Sequence, residues 1–171
     1  MKCIESNCTE STPLKSVWSL FYHLPQNKDW DKSSYVNMFE EIDSVEKLVA
    51  INEYMPENII KYCMLFVMRA GIAPMWEDAK NRFGGCYSYK VTNKMVPMVW
   101  KHLFYLLCTE KLTVNQSHME SINGITISPK RNFCIIKIWT ADCLSQDPST
   151  IVYIENLVKM GCLFRKHEPE F

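Results

Sequence analysis

The sequence predicts an α+β domain: one curved antiparallel sheet, about three helices on its convex face, and a concave face left for a binding slot. Three observations carry this expectation. Segments rich in β-branched and aromatic residues arrive in neighbouring pairs, which favours antiparallel pairing. Stretches with helical apolar spacing separate the pairs and would lie together on one side. The 171 residues are 47% apolar and 22% charged, which suits one packed core and not a disordered chain.

The elements follow in order. Residues 1–13 read as a short polar lead, closed by Pro13, and residues 14–171 as a single domain. Residues 17–23 are dense in strand formers and stop at a loop over 25–29, with Trp30 on its far side. Residues 35–39 form a second strand. Asp43 or Ser44 can cap a helix that has Glu46 in its first turn and runs to about Tyr54, where Pro56 stops or offsets it. Residues 64–69 form a strand ended by Gly71. A loop over 72–85 follows, then a strand over 86–91. Apolar residues at 96, 99, 100, 103, 104, 106 and 107 define an amphipathic helix from 96 to 112, with Pro97 in its first turn. Residues 122–127 and 133–139 are two strands joined by a turn over 128–132. A last helix is expected over 148–160 with Gly161 beyond its end, then a short strand over 162–164. The predicted order is β-β-α-β-β-α-β-β-α-β.

Composition narrows the function. With 19 Lys+Arg against 19 Asp+Glu the formal charge is zero, which argues against coating of nucleic acid and leaves room for a local phosphate site. No apolar run is long enough for a transmembrane helix, and the polar start does not read as a secretory signal. The eight cysteines form no CxxC pair and sit at no zinc-finger spacing from a histidine. Reduced thiols, no metal, no cofactor, a cytoplasmic setting and a monomer are therefore expected. Trp18 and Trp100 fall on a strand and a helix face and are assigned to the core. Trp30, Trp76 and Trp139 fall in loops or at a strand end, where exposed aromatic rings serve binding as well as packing.

The segment Ile72-Ala73-Pro74-Met75-Trp76-Glu77-Asp78-Ala79-Lys80-Asn81, followed by Gly84-Gly85, closely resembles the cap-binding segment of the eukaryotic translation initiation factor 4E family. Other pieces agree in order: Thr12-Pro13-Leu14 before Trp18, Asn27-Lys28-Asp29-Trp30, Asp43-Ser44-Val45-Glu46, residues 100–108, and Ile135-Ile136-Lys137-Ile138-Trp139-Thr140. The likeness spans roughly residues 12–165. It implies that the ligand is the 7-methylguanosine cap of messenger RNA, and that the role is in translation initiation. Trp30 and Trp76 would sandwich the methylated base, whose positive charge adds cation–π attraction to stacking. Glu77 would accept hydrogen bonds from the guanine edge, made stronger by that charge. The Trp76 backbone N–H would serve O6, and Trp139 would touch the methyl group.

For the phosphates the pattern holds only in part. Lys130 stands where the family has Arg, Asn132 and Ile135 where it usually has Lys, and Cys86 where it usually has Arg. Lys137, on the same strand face as Ile135 and Trp139, and Arg131 in the hairpin complete the expected set of Lys130, Arg131 and Lys137. The family also docks scaffold and repressor peptides on its helical face, around an exposed Trp. Here Val49 stands in that place, and His102 and Thr109 replace family Glu and Gly. A groove around Pro13, Val45, Val49 and Tyr105 would bind such a partner with altered specificity. The departures suggest a divergent, minimal member. They leave a second function open: a cap-binding competitor or message-protecting protein that does not recruit the usual scaffold. An enzyme is not expected, since no carboxylate cluster or Gly-rich phosphate loop is present.

Overall fold

The computed structural model describes residues 11–169. Its strands are β1 (Pro13–His23), β2 (Val36–Ser44), β3 (Met64–Arg69), β4 (Gly85–Thr92), β5 (Ile122–Pro129), β6 (Phe133–Thr140) and β7 (Leu163–Lys166). Its helices are α1 (Val45–Tyr54), α2 (Glu57–Tyr62), α3 (Val96–Cys108) and a single turn, α4 (Gln116–Met119). The seven strands form one sheet in the order β2-β1-β3-β5-β6-β4-β7, every neighbouring pair antiparallel. This is the predicted α+β architecture. No helix among the described residues is long and apolar enough to cross a membrane.

Local chemistry sets the boundaries. Ser44 has extended backbone, and its hydroxyl accepts from the Lys47 N–H at 3.4 Å, capping α1. The Glu46 carboxylate reaches back to the Thr12 N–H at 3.0 and 3.2 Å, tying the helix start to β1. Pro56 does more than end α1. It occupies the N-cap position of α2, a helix absent from the sequence expectation. In α3, Val96, Val99, Trp100, Leu103, Phe104 and Leu107 are buried at helical spacing.

Strand alternation divides the sheet into two faces. Leu20, Leu65, Val67, Tyr87, Tyr89, Val91, Ile125, Ile127, Ile136 and Ile138 share the main core with Trp18, Trp100 and the helices. Phe66, Met68, Ile72 and Trp139 form a smaller cluster with Phe21, Tyr35, Met64 and Trp76. The helices thus lie on one face and three aromatic rings of the expected site on the other. At one edge of the core, Arg69 places its guanidinium 4.6 Å from the Trp18 ring. It donates to Ser16 and Glu110, and to the Ile122 and Met119 carbonyls.

Two expectations are corrected. The helix expected over 148–160 does not form. Pro148–Thr150 make one 3-10 turn, Ile151 bridges to Thr113, and Asn156 is left-handed at φ 66°. Ile151, Ile154 and Leu157 are nevertheless buried, so their spacing of three reflects an irregular chain lying on the core. The lead expected over 1–13 overlaps β1, since Pro13 pairs with Ser44. Residues 1–10 of that lead, with Cys3 and Cys8, lie outside the described residues.

Candidate functional site

On the face opposite the helices lies a cleft of about 630 Å³. Trp30, Trp76, Glu77, Trp139, Lys130 and Lys137 all line it. Six of the seven residues expected around the ligand therefore converge, although they come from four separate segments. The seventh, Arg131, is exposed and does not line the cleft. It follows Lys130 in the β5–β6 turn, where the Lys130 N–H pairs with the Phe133 carbonyl at 2.8 Å and Asn93 donates to the carbonyls of both residues.

The loop between β3 and β4 presents Trp76 and Glu77, and its shape is held by buried amides. Asp78 accepts from the Ala73 and Lys80 N–H groups, each at 2.9 Å. Asn81 is fully buried, and its Nδ2 donates to the Ala73 and Met75 carbonyls at 2.9 and 2.8 Å. Asn123 of β5 donates to Lys80 and to Asn81 Oδ1. The loop returns through Gly84, where a Cβ would run into the Thr140 carbonyl. No residue with a side chain fits there.

Each indole has its own support. Trp139 is only 3% exposed, and its Nε1 donates to Thr126 Oγ1 at 2.8 Å, which fixes the ring edge toward the cleft. Trp30 is 53% exposed, with its ring stacked on His23 at 4.3 Å between centroids and 2° between planes. Asn27 shapes the loop before it by accepting from the Asp29 N–H. Trp76 stacks on His167 at 5.5 Å and 17°, and His167 also lies 4.9 Å from Trp139. The Lys137 ammonium sits 5.6 Å from the centre of the Trp76 ring.

Tyr35 closes the wall between Trp30 and Phe66. Burial pushes its phenol up to about 12, with the charge of Glu77 adding to the effect, so it remains a hydrogen-bond donor. Burial lowers the His167 pKa, and Lys137 adds to this against the opposing Asn81 carbonyl and Glu77. Sequence reasoning missed His23, His167, Tyr35, Asn123 and Glu168, which also lines the cleft. A histidine seven residues before a loop tryptophan carries no local signal of stacking.

The cleft brings aromatic rings, the Glu77 carboxylate and the Lys130 and Lys137 ammonium groups together in one lining. Among the described residues no group of His, Cys, Asp and Glu could hold a metal ion. Cys108 is buried and its thiol is pushed well above the ordinary range by that burial, which suits packing and not nucleophilic chemistry.

On the helical face, Val45 and Val49 lie one turn apart on α1, with Val49 exposed. Tyr105 of α3 donates to Glu53 at 2.8 Å. A separate hollow of about 350 Å³ is lined by His102, Tyr105, Leu106, Tyr153, Ile154 and Glu155. Of the four expected groove residues only Tyr105 borders it. Pro13 is taken up by the β1–β2 pairing.

The family profile described as eukaryotic initiation factor 4E matches residues 13–168. A eukaryotic translation initiation factor 4E homolog of Acanthamoeba polyphaga mimivirus is 40% identical over 93 residues, covering 54% of this chain and 32% of that protein. Eukaryotic translation initiation factor 4E-1A of Danio rerio is 25% identical over 154 residues, covering 86% of this chain and 68% of its own length. The chain thus spans about a third of the first relative and about two thirds of the second. Among solved structures, C. elegans eIF4E-3 in complex with the 4E-binding protein Mextli and a cap analog superposes with a TM-score of 0.68 at 22% identity, over 78% of this chain and 76% of that one. A schistosome eIF4E complexed with m7GpppG and 4E-BP gives 0.68 at 22%, over 77% and 73%. At this identity the likeness to the structures concerns the fold.

Proposed function

Because the chain belongs to the eukaryotic initiation factor 4E family, we propose that its cleft binds the 7-methylguanosine cap of messenger RNA, and that it serves translation initiation as a binder and not an enzyme. The observation that carries this reading is the convergence of Trp30, Trp76, Trp139 and Glu77 on one cleft wide enough for a nucleotide. The methylated base lies between Trp30 and Trp76. Its positive charge meets two electron-rich indole faces, a contribution of roughly 0.5–2 kcal/mol per ring beyond stacking. Glu77 accepts from the N1–H and N2–H₂ edge, and the Trp76 N–H serves O6. The Trp139 edge packs on the N7 methyl group. Lys130 and Lys137 receive the phosphates. Relatives of this fold have been solved with cap analogs and 4E-binding proteins, which supports the cap as ligand and a 4E-binding protein as partner. Val49 offers a partner peptide a smaller anchor than tryptophan would.

Calorimetric titration with N7-methyl-GTP and with GTP tests the reading. The methylated ligand binds more tightly in the wild type, and Trp76→Ala or Glu77→Ala, each still folded, loses that binding. Equal affinity for both ligands, or full binding by the folded variants, refutes it.

A further inference from the structure

Three neighbouring strands at one edge of the sheet, β6, β4 and β7, carry Lys90, Lys137, Arg165 and Lys166 and no carboxylate. The opposite edge strand, β2, carries Glu40, Glu41 and Asp43 and no base. Three of the four cations lie on the cleft side of the sheet. Phe164 packs its ring on Tyr87 of the main core, 5.0 Å between centroids, so alternation turns Arg165 to the other face. Phe133 and Lys137 share the cleft face of β6 with Trp139. The Lys90 ammonium lies 4.3 Å from the centre of the Phe133 ring, which places it on that face too.

Strand register sets their spacing. On one side of β4, Lys137 pairs with Ser88, Trp139 with Cys86 and Ile135 with Lys90. On its other side, Ser88 pairs with Leu163 and Cys86 with Arg165. With strands about 4.8 Å apart and residues about 3.4 Å apart along them, the Lys90 backbone lies roughly 8 Å from that of Lys137, and the Arg165 backbone roughly 12 Å from it. Lys and Arg side chains span such gaps, and only the short Cys86 and Ser88 stand between them. β7 covers β4 from Gly85 to Ser88 alone, so Lys90 stands at the rim of the sheet. Lys90 and Arg165 are both exposed.

These cations are not engaged elsewhere. The ion pairs of the described residues use Lys15, Lys47, Lys61, Arg69 and Lys101, none of them on β4, β6 or β7. Glu77 and Glu168 line the cleft but form no ion pair with Lys90, Lys137 or Arg165. Charges at a sheet edge guard it against other chains, and either sign serves that purpose. A guard needs neither a single sign nor a row that continues into the cleft. We propose that Lys90 and Arg165 bind the phosphodiester groups that follow the cap triphosphate, so that single-stranded RNA leaves the cleft across β4 and over the rim beside β7. The proposal rests on the cap reading and extends it from the end of the RNA to its first few nucleotides. Lys130 and Lys137 hold the bridging phosphates, and Lys90 and Arg165 take the next ones by charge, without reading bases. Continuity with the cleft through Lys137 favours the ligand's own chain over a separate acidic partner.

The test compares an N7-methylated cap dinucleotide with a capped single-stranded oligoribonucleotide of about six residues, titrated calorimetrically into the full chain at several salt concentrations. The triphosphate contacts are common to both ligands and cancel in the ratio of affinities, which leaves the gain from the RNA body. At about 0.7 in log–log slope per phosphate contact on a single strand, two contacts make that gain fall roughly sevenfold between about 0.05 and 0.2 M salt. In Lys90→Ala/Arg165→Ala the gain disappears while the dinucleotide binds as it does to the wild type, which also shows that the variant is folded. A wild type without any gain, or a gain kept in full by the double variant, overturns the proposal. So does an equal loss in Lys47→Ala/Lys61→Ala, which removes two charges from the helical face and tests for an effect of total charge. Absence of preference for the methylated over the unmethylated dinucleotide refutes the cap reading instead, so the two failures are distinct.

Discussion

Asn81→Ala probes what holds the loop of Trp76 and Glu77 in shape. The side chain is fully buried and makes three hydrogen bonds: two from Nδ2, to the Ala73 and Met75 carbonyls, and one accepted by Oδ1 from Asn123. At about 1 kcal/mol each the loss approaches 3 kcal/mol. Asn123 keeps its bond to the Lys80 carbonyl, and water can reach the half-buried Ala73 and Met75 carbonyls, so about 2–3 kcal/mol is the working value. For a domain of this size that corresponds to a fall in Tm of roughly 4–12 °C. Trp76 and Glu77 sit on the same loop, so affinity for N7-methyl-GTP falls in proportion to the closed fraction lost, by up to roughly thirtyfold for about 2 kcal/mol. Asn81→Asp fares worse: it has nearly the same shape but offers no donor to the two carbonyls and buries a charge. Differential scanning calorimetry and ligand titration measure both effects. Affinity within about twofold and Tm within about 1 °C of wild type in Asn81→Ala would refute the assignment of loop order to this amide.

Other consequences can be checked directly. The Glu110 carboxyl is pushed up by burial but held more strongly down, to about 2, by Ser16, Arg69 and Lys15. Its folded pKa lies below its unfolded one, so its contribution is complete above the usual carboxylate range and disappears as pH falls toward about 2. The Tm of the wild type should drop more steeply from pH 5 to pH 2 than that of Glu110→Gln, and parallel curves would exclude the effect. Gly84→Ala forces a methyl group onto the Thr140 carbonyl. It should reduce both stability and cap retention, whereas the exposed Gly71, whose Cβ would meet nothing, is costly only through its φ of 79°. Lys130→Ala should flatten the salt dependence of cap affinity by roughly 0.7 in log–log slope, the value for one phosphate contact on a single strand. Arg131→Ala, outside the cleft, should change it less.

What the sequence made legible was local. The runs of strand-forming residues in β3 and β4 and the turn chemistry before β6 placed three strands within a residue or two of their observed ends. The Pro-Met-Trp-Glu-Asp segment marked the loop with Trp76 and Glu77 because its residues act within ten positions of one another. Pro56 was read as a stop, while in the fold it also opens α2, since a residue that cannot continue one helix is well suited to begin the next. The region 148–160 misled because burial at every third residue suits a helix and also a chain held on the core by a single bridge to Thr113. His167 meets the Asn81 carbonyl across 86 positions. A contact of that separation leaves no periodicity in the chain, and only the β4–β7 pairing creates it.

The zero net charge acquires a meaning from where the charges of the cleft lie. Gly124 of β5 pairs with Met68 on one side and Trp139 on the other, whereas Leu65 pairs with Ile127 near the opposite end of the sheet. Glu77 follows β3 and Glu168 follows β7, both at the Trp139 end, while Lys130 lies in the turn at the far end of β6 and Lys137 between them. At about 3.4 Å per residue, Phe133 to Trp139 spans roughly 20 Å. Along β6 the carboxylates therefore lie at one end together with Trp76, Trp139 and Lys137, and Lys130 lies at the other. A ligand with a cationic base and an anionic phosphate chain matches both ends at once, while an unmodified RNA backbone matches only one. Adding cations along the cleft should raise affinity for any phosphate chain and, by weakening the acidic end, erode the preference for a methylated base. On the proposed cap reading, selectivity comes from the arrangement of the chain's charges and not from their sum.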